Sequence, residues 1–349
     1  MTEKTFPKVA VILLNWNGKH WLSQFLPSVT QSTYPNLEIW VVDNASTDES
    51  VAFVHSAFPQ VKTLVLAENY GFTQGNNLAL PHIDAPYFIL LNSDVEVSPN
   101  WVEPLVELME SNPEIAVIQP KILAFHAKDT FEYAGAAGGW IDSLGYPFCR
   151  GRVFEHLEKD ERQFDEIAEI FWASGACCLI RKSVTDVLRL FEPTFFAHME
   201  EIDFCWRVKN AGYKVMYQPK STVWHVGGGT LHKSNPRKTF LNIRNSLALL
   251  VKNLPAHQII PKLFIRLCLD GVFALTLLLK ADFVDIGAIL RAHFAFYKTI
   301  PYWLKTRKAH LSPIAFPTSG VYFGSIVFQY FIKGKKRFEE IVGVKKENI

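Results

Sequence analysis

Short apolar runs that stop abruptly in polar residues recur along the first two-thirds of the chain. Residues 9–14 end in Asn15-Trp16-Asn17-Gly18, residues 37–42 in Asp43-Asn44-Ala45-Ser46-Thr47-Asp48, and residues 87–91 in Asn92-Ser93-Asp94. Runs of this length bounded by turn signals predict strands buried in a parallel sheet. Helical spacing separates them. Leu22, Phe25, Leu26 and Val29 predict a helix over 21–31, although Pro27 argues against an unbroken one. Ser46 or Thr47 is placed to cap a second helix reaching about Ala57. A third strand is expected over 61–66. The polar loop Glu68-Asn69-Tyr70-Gly71-Phe72-Thr73-Gln74-Gly75-Asn76-Asn77 then leads into another helix. Such alternation calls for a mostly parallel α/β sheet with right-handed crossovers.

Further on, Pro99-Asn100-Trp101 is expected to open a helix to about Glu110, with a strand over 115–119. Residues 125–168 are irregular and rich in Gly and aromatics. They read as a long insertion with a mobile part, of the kind that carries specificity. Regular structure resumes over 170–180, and Ser183 is placed to cap a helix to Leu190. Glu200 begins a helix to Asn210, which Gly212 ends in the left-handed conformation. Strands over 214–217 and 222–225 and the segment Gly227-Gly228-Gly229-Thr230 close the α/β part. We therefore expect one domain over 1–235 and a helical, basic and apolar region over 236–349. The latter has a helix over 239–250, and Pro255 and Pro261 punctuate the chain beyond it.

Charge sharpens that division. The net charge of the 349 residues is only +2. Residues 1–249 hold 21 Lys and Arg against 28 Asp and Glu, whereas residues 250–349 hold 15 against 6. A basic tail behind an acidic body points to a polyanionic neighbour for the tail. Segments 263–280, 286–297 and 321–332, the last followed by Lys333-Gly334-Lys335-Lys336-Arg337, suit helices lying in an anionic membrane interface. A helical bundle packed on the body or on a second subunit fits the same pattern. None of the three is a confident membrane span. The five cysteines include no CxxC pair, which excludes a disulfide framework or a zinc site and fits a reducing cytosol. No signal peptide is expected from the polar residues 1–8.

The chemistry gathers at strand ends. Ligands of open α/β sheets bind outside the carboxyl ends of the strands. Asp94 there suits a hard cation such as Mg²⁺ or Mn²⁺ bridging to phosphate, and it equally suits a turn that caps a helix. Asp43 suits a nucleotide base or ribose, or helix capping. Glu200-Glu201-Ile202-Asp203 suits a general base at a site mouth, or acids stabilised by a helix N-terminus. His225 suits metal ligation or a structural role. A GxGxxG after a strand, a P-loop and a GxSxG elbow are all absent, which argues against a dinucleotide dehydrogenase, a P-loop kinase and an α/β-hydrolase.

In this order the motifs resemble the family 2 inverting glycosyltransferases of GT-A fold, and most closely the bacterial rhamnosyltransferase-like branch. The resemblance covers about residues 8–235. It implies donor-binding roles for Asn15, Asp43, Asn69, Gly71, Asn76, Asn92, Ser93 and Asp94. Asp94 with His225 would hold a divalent metal, Mg²⁺ or Mn²⁺. Trp172, Gly175, Asp203 and Arg207 would line the substrate site. Glu201 stands where the family's catalytic Asp stands, with Glu200 as the other candidate base. The implied reaction moves a sugar from a nucleotide diphosphate-sugar to a hydroxyl of a glycan or lipid-linked glycan, in cell-surface polysaccharide assembly. The implied place is cytoplasmic, peripheral at the inner face of the cell membrane, with no nucleic-acid partner. A non-catalytic nucleotide-sugar-binding or scaffold module of a glycan-assembly complex is the rival reading. A nucleotidyltransferase would need a Gly-rich, basic N-terminal loop that Asn15-Trp16-Asn17-Gly18 does not provide.

Overall fold

The structure is a computed structural model that describes residues 6–227, 235–310 and 316–343. The expected pattern of Gly228, Gly229 and Thr230 lies outside these residues. Along the chain run β1 (Val9–Asn15), α1 (Lys19–Thr30), β2 (Leu37–Asp43), α2 (Ser50–Ala57), β3 (Lys62–Val65), α3 (Gly71–Ala79), β4 (Tyr87–Asn92) and β5 (Val95–Val97). Next come α4 (Glu103–Ser111), β6 (Ile115–Ala124), β7 (Ala127–Phe131), β8 (Gly139–Asp142), β9 (Pro147–Cys149), β10 (Arg152–Val153), β11 (His156–Leu157) and β12 (Ala168–Glu169). The chain continues through β13 (Cys177–Arg181), α5 (Lys182–Leu188), α6 (Glu200–Asn210), β14 (Lys214–His225), α7 (Pro236–Asn253), α8 (Ala256–Leu279), α9 (Phe283–His310), β15 (Val321–Tyr322) and α10 (Phe338–Val342).

The main sheet has the order β12-β14-β6-β13-β4-β1-β2-β3. β3, β2, β1 and β4 are mutually parallel, as the alternation predicted, while β13 runs antiparallel between β4 and β6. Both faces of the central strands are buried. Val9, Val11 and Leu13 enter one core, and Ala10 and Ile12 enter the other. That is why these strands read as unbroken apolar runs rather than as alternating ones.

Four expectations change. Pro27 sits inside α1 without ending it, because Leu22, Phe25, Leu26 and Val29 anchor that helix in the core. The strands expected over 214–217 and 222–225 form one strand, β14, whose pairing with β6 is broken by a bulge between Gln218 and Thr222. Residues 125–168 are not an irregular loop. They build β7 and a second sheet of order β11-β10-β9-β8-β15, around Ile141, Phe148, Cys149 and Val153. The segment 321–332 is not an amphipathic helix: it supplies β15, which pairs parallel with β8, and a π-helical turn over Phe328–Ile332.

The tail is thus woven into the body. β15 completes a sheet begun by residues 139–157. Asp142, fully buried, accepts from the backbone N–H groups of Leu144, Tyr146 and Ile326. Deeper still, Asp203 of α6 is paired by its Oδ2 with Arg207 Nε (2.9 Å) and with Lys252 Nζ of α7 (2.7 Å), and by its Oδ1 with Asn253 Nδ2 (2.9 Å). Burial works against the Asp203 charge, but Lys252 and Arg207 outweigh it and hold the carboxyl well below the usual carboxylate range. A carboxylate of depressed pKa contributes stability above its unfolded value, near 3.9, that is lost as the pH falls through the folded value. We predict that Lys252→Ala costs about 3–5 kcal/mol in chemical denaturation. We also predict that Asp203→Asn removes part of the acid-induced loss of stability below about pH 4.

Candidate active site

The carboxyl ends of β1, β2 and β4, the end of β14 and the start of α6 carry the polar residues singled out above. The first two strand ends lock each other. Asn15 Nδ2 donates to Asp43 Oδ1 (3.0 Å) and to Ser46 Oγ (3.2 Å). The backbone N–H of Ser46 donates to Asp43 Oδ2 (2.8 Å), and that of Asn17 to Ser46 Oγ (2.8 Å). Ser46 therefore does not cap α2; Asp48 receives the Ser50 N–H instead (3.0 Å). Asn15 and Asp43 are both buried, and the Oδ1 of Asn15 has no hydrogen-bond partner. Trp16, between them in sequence, is exposed.

Asn44, which carries no distinguishing mark in the sequence, organises the next loop. Its side chain donates to Asn69 Oδ1 (3.0 Å) and Gly71 O (3.2 Å) and accepts from Tyr70 N (2.9 Å). Gly71 has a φ of +72°, and a Cβ there would come within 2.6 Å of the Phe196 ring. The glycine is required twice, by its backbone angle and by that contact. Asn76 is turned inward and bonds Phe72 O within its own helix (2.8 Å). It offers no free amide to a ligand by that route.

At the end of β4, three side chains converge. His225 Nε2 lies 3.2 Å from Asp94 Oδ1 and 3.3 Å from Asn92 Nδ2. The cause is strand pairing. β5 runs antiparallel to β14 with Val95 opposite His225, so the residue before β5 lies beside the histidine. Behind the ring, His225 Nδ1 is 3.3 Å from Glu132 Oε2, an ion-pair contact. Burial, the largest influence, pushes the His225 pKa down. Glu132 and Asp94 together overcome it and bring it up to about 10. Glu132 was not expected. It lies in the insertion, just past β7, and only an acid between two aromatics marked it in the sequence.

These residues fit a metal that binds the neutral imidazole and so replaces the proton that Asp94 and Glu132 otherwise hold on His225. A ligating histidine commonly turns its other ring nitrogen to a carboxylate, as His225 turns Nδ1 to Glu132. Asp94 and His225 make only two donors, and among the described residues no cluster of three or more His, Cys, Asp or Glu is arranged to hold an ion. Mg²⁺ is commonly bound by one or two carboxylates together with substrate phosphates.

The acids of α6 occupy strained backbone. Phe196, His198 and Met199 all have φ between +65° and +71°. Non-glycine residues adopt this region at a cost, and only where their surroundings hold them. Here the tail does so. Asn245 of α7, fully buried, donates to Phe195 O (3.1 Å), Ala197 O (2.9 Å) and His198 O (2.8 Å), and Arg244 donates to Thr194 O (2.9 Å) and Phe195 O (3.0 Å). The loop delivers Glu200, buried, and Glu201, partly exposed, and one oxygen of each has no partner. Burial pushes Glu200 well above the carboxylate range, and the Glu201 charge adds to it. Burial also raises Glu201 to about 7, against the opposing pull of backbone N–H groups at the helix start.

Three residues expected to touch substrate are committed elsewhere. Asp203 is held by Arg207, Lys252 and Asn253, and Arg207 donates besides to the carbonyls of Leu188 (2.6 Å), Arg189 (2.8 Å) and Leu190 (2.6 Å). Trp172 packs on Gly139 and donates to Trp140 O (2.9 Å). Each is buried with its polar atoms satisfied internally. Gly175 is buried against the Phe72 ring, beside the Gly71 loop. An open cavity of about 450 Å³ is lined by Gln74, Asn77, Lys182, Thr185 and Arg189, among others, but by none of Asp43, Asp94, Glu201 or His225.

Comparison with known proteins decides the family. The model of glycosyl transferase family 2 matches residues 10–189, more than half of the chain. The chain belongs to glycosyl transferase family 2. This glycosyltransferase is 25% identical over 234 residues to an N-acetylglucosaminyl-diphospho-decaprenol L-rhamnosyltransferase of Mycobacterium tuberculosis, spanning 62% of this chain and 75% of that protein. It is 22% identical over 212 residues to a low-salt glycan biosynthesis hexosyltransferase of Haloferax volcanii, spanning 59% of this chain and 63% of that one. In fold it is similar to a Pyrobaculum calidifontis mannosyltransferase solved with GDP-Man and Mn²⁺, with a TM-score of 0.52, 14% identity and coverage of 87% of this chain and 85% of that one. It also resembles GalNAc-T7 solved with UDP, GalNAc and Mn²⁺, with a TM-score of 0.54 and 17% identity, over 72% of this chain but only 48% of that one. The GT-A expectation is met by these folds.

The clamp on the strained loop predicts a separable phenotype. Asn245→Ala takes the donor from the part-buried carbonyls of Ala197 and His198, each worth about 1–3 kcal/mol if unsatisfied, while Phe195 O keeps Arg244. We expect a lowered melting temperature together with a fall in turnover larger than any change in donor KM, measured by nucleotide release.

Proposed function

We propose that this glycosyltransferase transfers a sugar, with inversion, from a nucleotide diphosphate-sugar to a hydroxyl of a glycan or lipid-linked glycan acceptor. The observation that carries the proposal is Glu201, a carboxyl raised to about 7 at the start of a helix held by strained backbone. An ideal general base has its pKa near the working pH. The ionised Glu201 takes the acceptor hydroxyl's proton while that oxygen attacks the anomeric carbon. The bond from that carbon to the diphosphate oxygen breaks on the opposite face, and the nucleoside diphosphate leaves with the electron pair. Glu200 is buried beside Glu201, and burial with the neighbouring Glu201 charge raises its carboxyl well above the usual range, so we assign the base to the partly exposed Glu201.

Asp94 and His225 would hold a divalent cation, which supplies charge neutralisation to the departing diphosphate. Glu132 orients the imidazole for that purpose. The strand-end loops at Asn15–Asp48 and Asn44–Gly71 form the donor's nucleotide-binding rim, where Trp16, Thr47, Asp48 and Asn69 are exposed and Asn92 and Ser93 half-buried. The name of the Mycobacterium tuberculosis relative supports an acceptor carried on a lipid diphosphate. Such an acceptor would place the enzyme at the cytoplasmic face of the membrane, peripherally, since among the described residues no helix is long and apolar enough to cross it. The raised base and the Asp94–His225–Glu132 line speak against a mere nucleotide-sugar binder, which needs neither.

Glu201→Gln should lower kcat by about 10²–10⁴-fold, while Glu200→Gln retains more activity; the reverse order would move the base to Glu200. Because Glu201 is protonated below its pKa, kcat/KM should rise with pH through about 7. A group raised on folding loses stability as pH climbs through that range, so Glu201→Gln should be more stable than the wild type at pH above 7 and not below 4. Separately, a panel of nucleotide-sugars should raise the melting temperature with Mn²⁺ present, and Asp94→Ala should abolish the metal's contribution. Metal dependence that survives in Asp94→Ala would refute the assignment.

A further inference from the structure

α8 is turned inside out. Two of its three charged residues, Arg266 and Asp270, are 2% and 3% exposed, whereas Ile260, Phe264 and Leu279 are 80%, 68% and 89% exposed. The charges are used inside. Arg266 donates to Leu144 O (3.1 Å) and Ser246 Oγ (2.9 Å) and lies 3.8 Å from the centre of the Tyr146 ring. Asp270 Oδ2 lies 2.9 Å from His293 Nε2 of α9. By helical periodicity Ile260, Phe264, Val272, Leu275 and Leu279 share one side of α8, with Arg266, Asp270 and Leu277 opposite. α9 repeats the arrangement. Ala288, Ala292, Phe296 and Trp303 are buried, while Phe283, Leu290 and Phe294 form an outward stripe. Monomeric proteins in water rarely carry an apolar surface of this extent.

We propose that the outward face of α8 and α9 docks on an anionic membrane surface, with both helices lying in the interface plane. Charge decides the occupant. Arg291, Lys298 and Lys305 border the α9 stripe, and Lys280 stands at the turn between the helices, all exposed. The last hundred residues hold 15 Lys and Arg against 6 Asp and Glu. A second copy of the chain would bring these like charges together, whereas acidic headgroups pair with them while the apolar stripe enters the acyl boundary. Neither helix of this pair can span the bilayer. The docking rests on the proposed function only for its purpose, which is to bring the site to a lipid-linked acceptor.

The full chain is tested by flotation with vesicles of phosphatidylcholine alone or mixed with phosphatidylglycerol, in parallel with nucleotide-sugar turnover and light scattering. The wild type should float with the mixed vesicles and much less with phosphatidylcholine. The variant Val272→Asp, Leu275→Asp, Phe294→Asp should lose binding by about 100-fold or more, with its thermal melt unchanged. The variant Arg291→Glu, Lys298→Glu, Lys305→Glu should lose about fivefold per charge. It tests the idea independently if the first variant fails to fold. Wild type that does not float, or a charge variant that floats as well as wild type, overturns the proposal. So does a wild-type dimer that the apolar variant converts to monomer without any vesicle binding. Flotation without sugar transfer would retain the docking face and reject the reaction, and transfer without flotation would do the opposite.

Discussion

A carboxylate sealed inside a protein has to be met by charge, and in this chain the need is met from forty-nine residues downstream. Asp203 would be strongly destabilising alone. Lys252 and Asn253, at the end of α7, satisfy it together with Arg207. Two turns earlier on the same helix, Asn245 and Arg244 grip the loop that precedes α6. One helix of the tail therefore fixes both the start of α6 and the backbone leading into it. The position of Glu200 and Glu201 depends on that grip, because left-handed backbone at Phe196, His198 and Met199 does not persist unsupported. Residues 236–253 thus support the backbone that carries Glu200 and Glu201.

The strand-end rim is held in a different way. Asn15, Asp43, Asn44 and Ser46 direct most of their hydrogen-bonding capacity to one another and to neighbouring backbone. Loops without regular structure have to satisfy their own polar groups, and buried side-chain amides do this here. The result is a preorganised edge against which a nucleotide can bind without ordering the loops first. The antiparallel pairing of β5 with β14 does the same for Asp94 and His225, two side chains separated by more than a hundred residues.

The outward faces of α8 and α9 show how composition can mislead. By count, α8 is an apolar helix with a few charges, and the usual expectation is that charges face water. The buried Arg266 and Asp270 reverse that orientation, because Tyr146, Leu144, Ser246 and His293 offer them better partners inside. Once those two are committed, the opposite, apolar side of the helix has nowhere to point but outward.

The parallel half of the main sheet was legible from sequence alone. The runs at 9–14 and 87–91 are buried on both faces, and that at 37–42 is buried at its carboxyl end, Val41 and Val42; such strands declare themselves without reference to anything distant. Asp43, Asp94, Glu200, Glu201 and His225 were marked in the same way, since an acid or histidine at a strand end or helix start is a local signal. Hidden from sequence was which of the polar residues are taken up by one another. Asp203, Arg207 and Trp172 read like site residues, yet they are structural ties, because their partners Lys252, Asn253 and Trp140 are distant in sequence. Glu132 behind His225, Asn245 behind the loop that leads into Glu200, and the strand contributed by Val321 and Tyr322 were decided by tertiary packing alone. Each consists of a contact across long separations, and a polar residue carries no mark in sequence of the group it will meet.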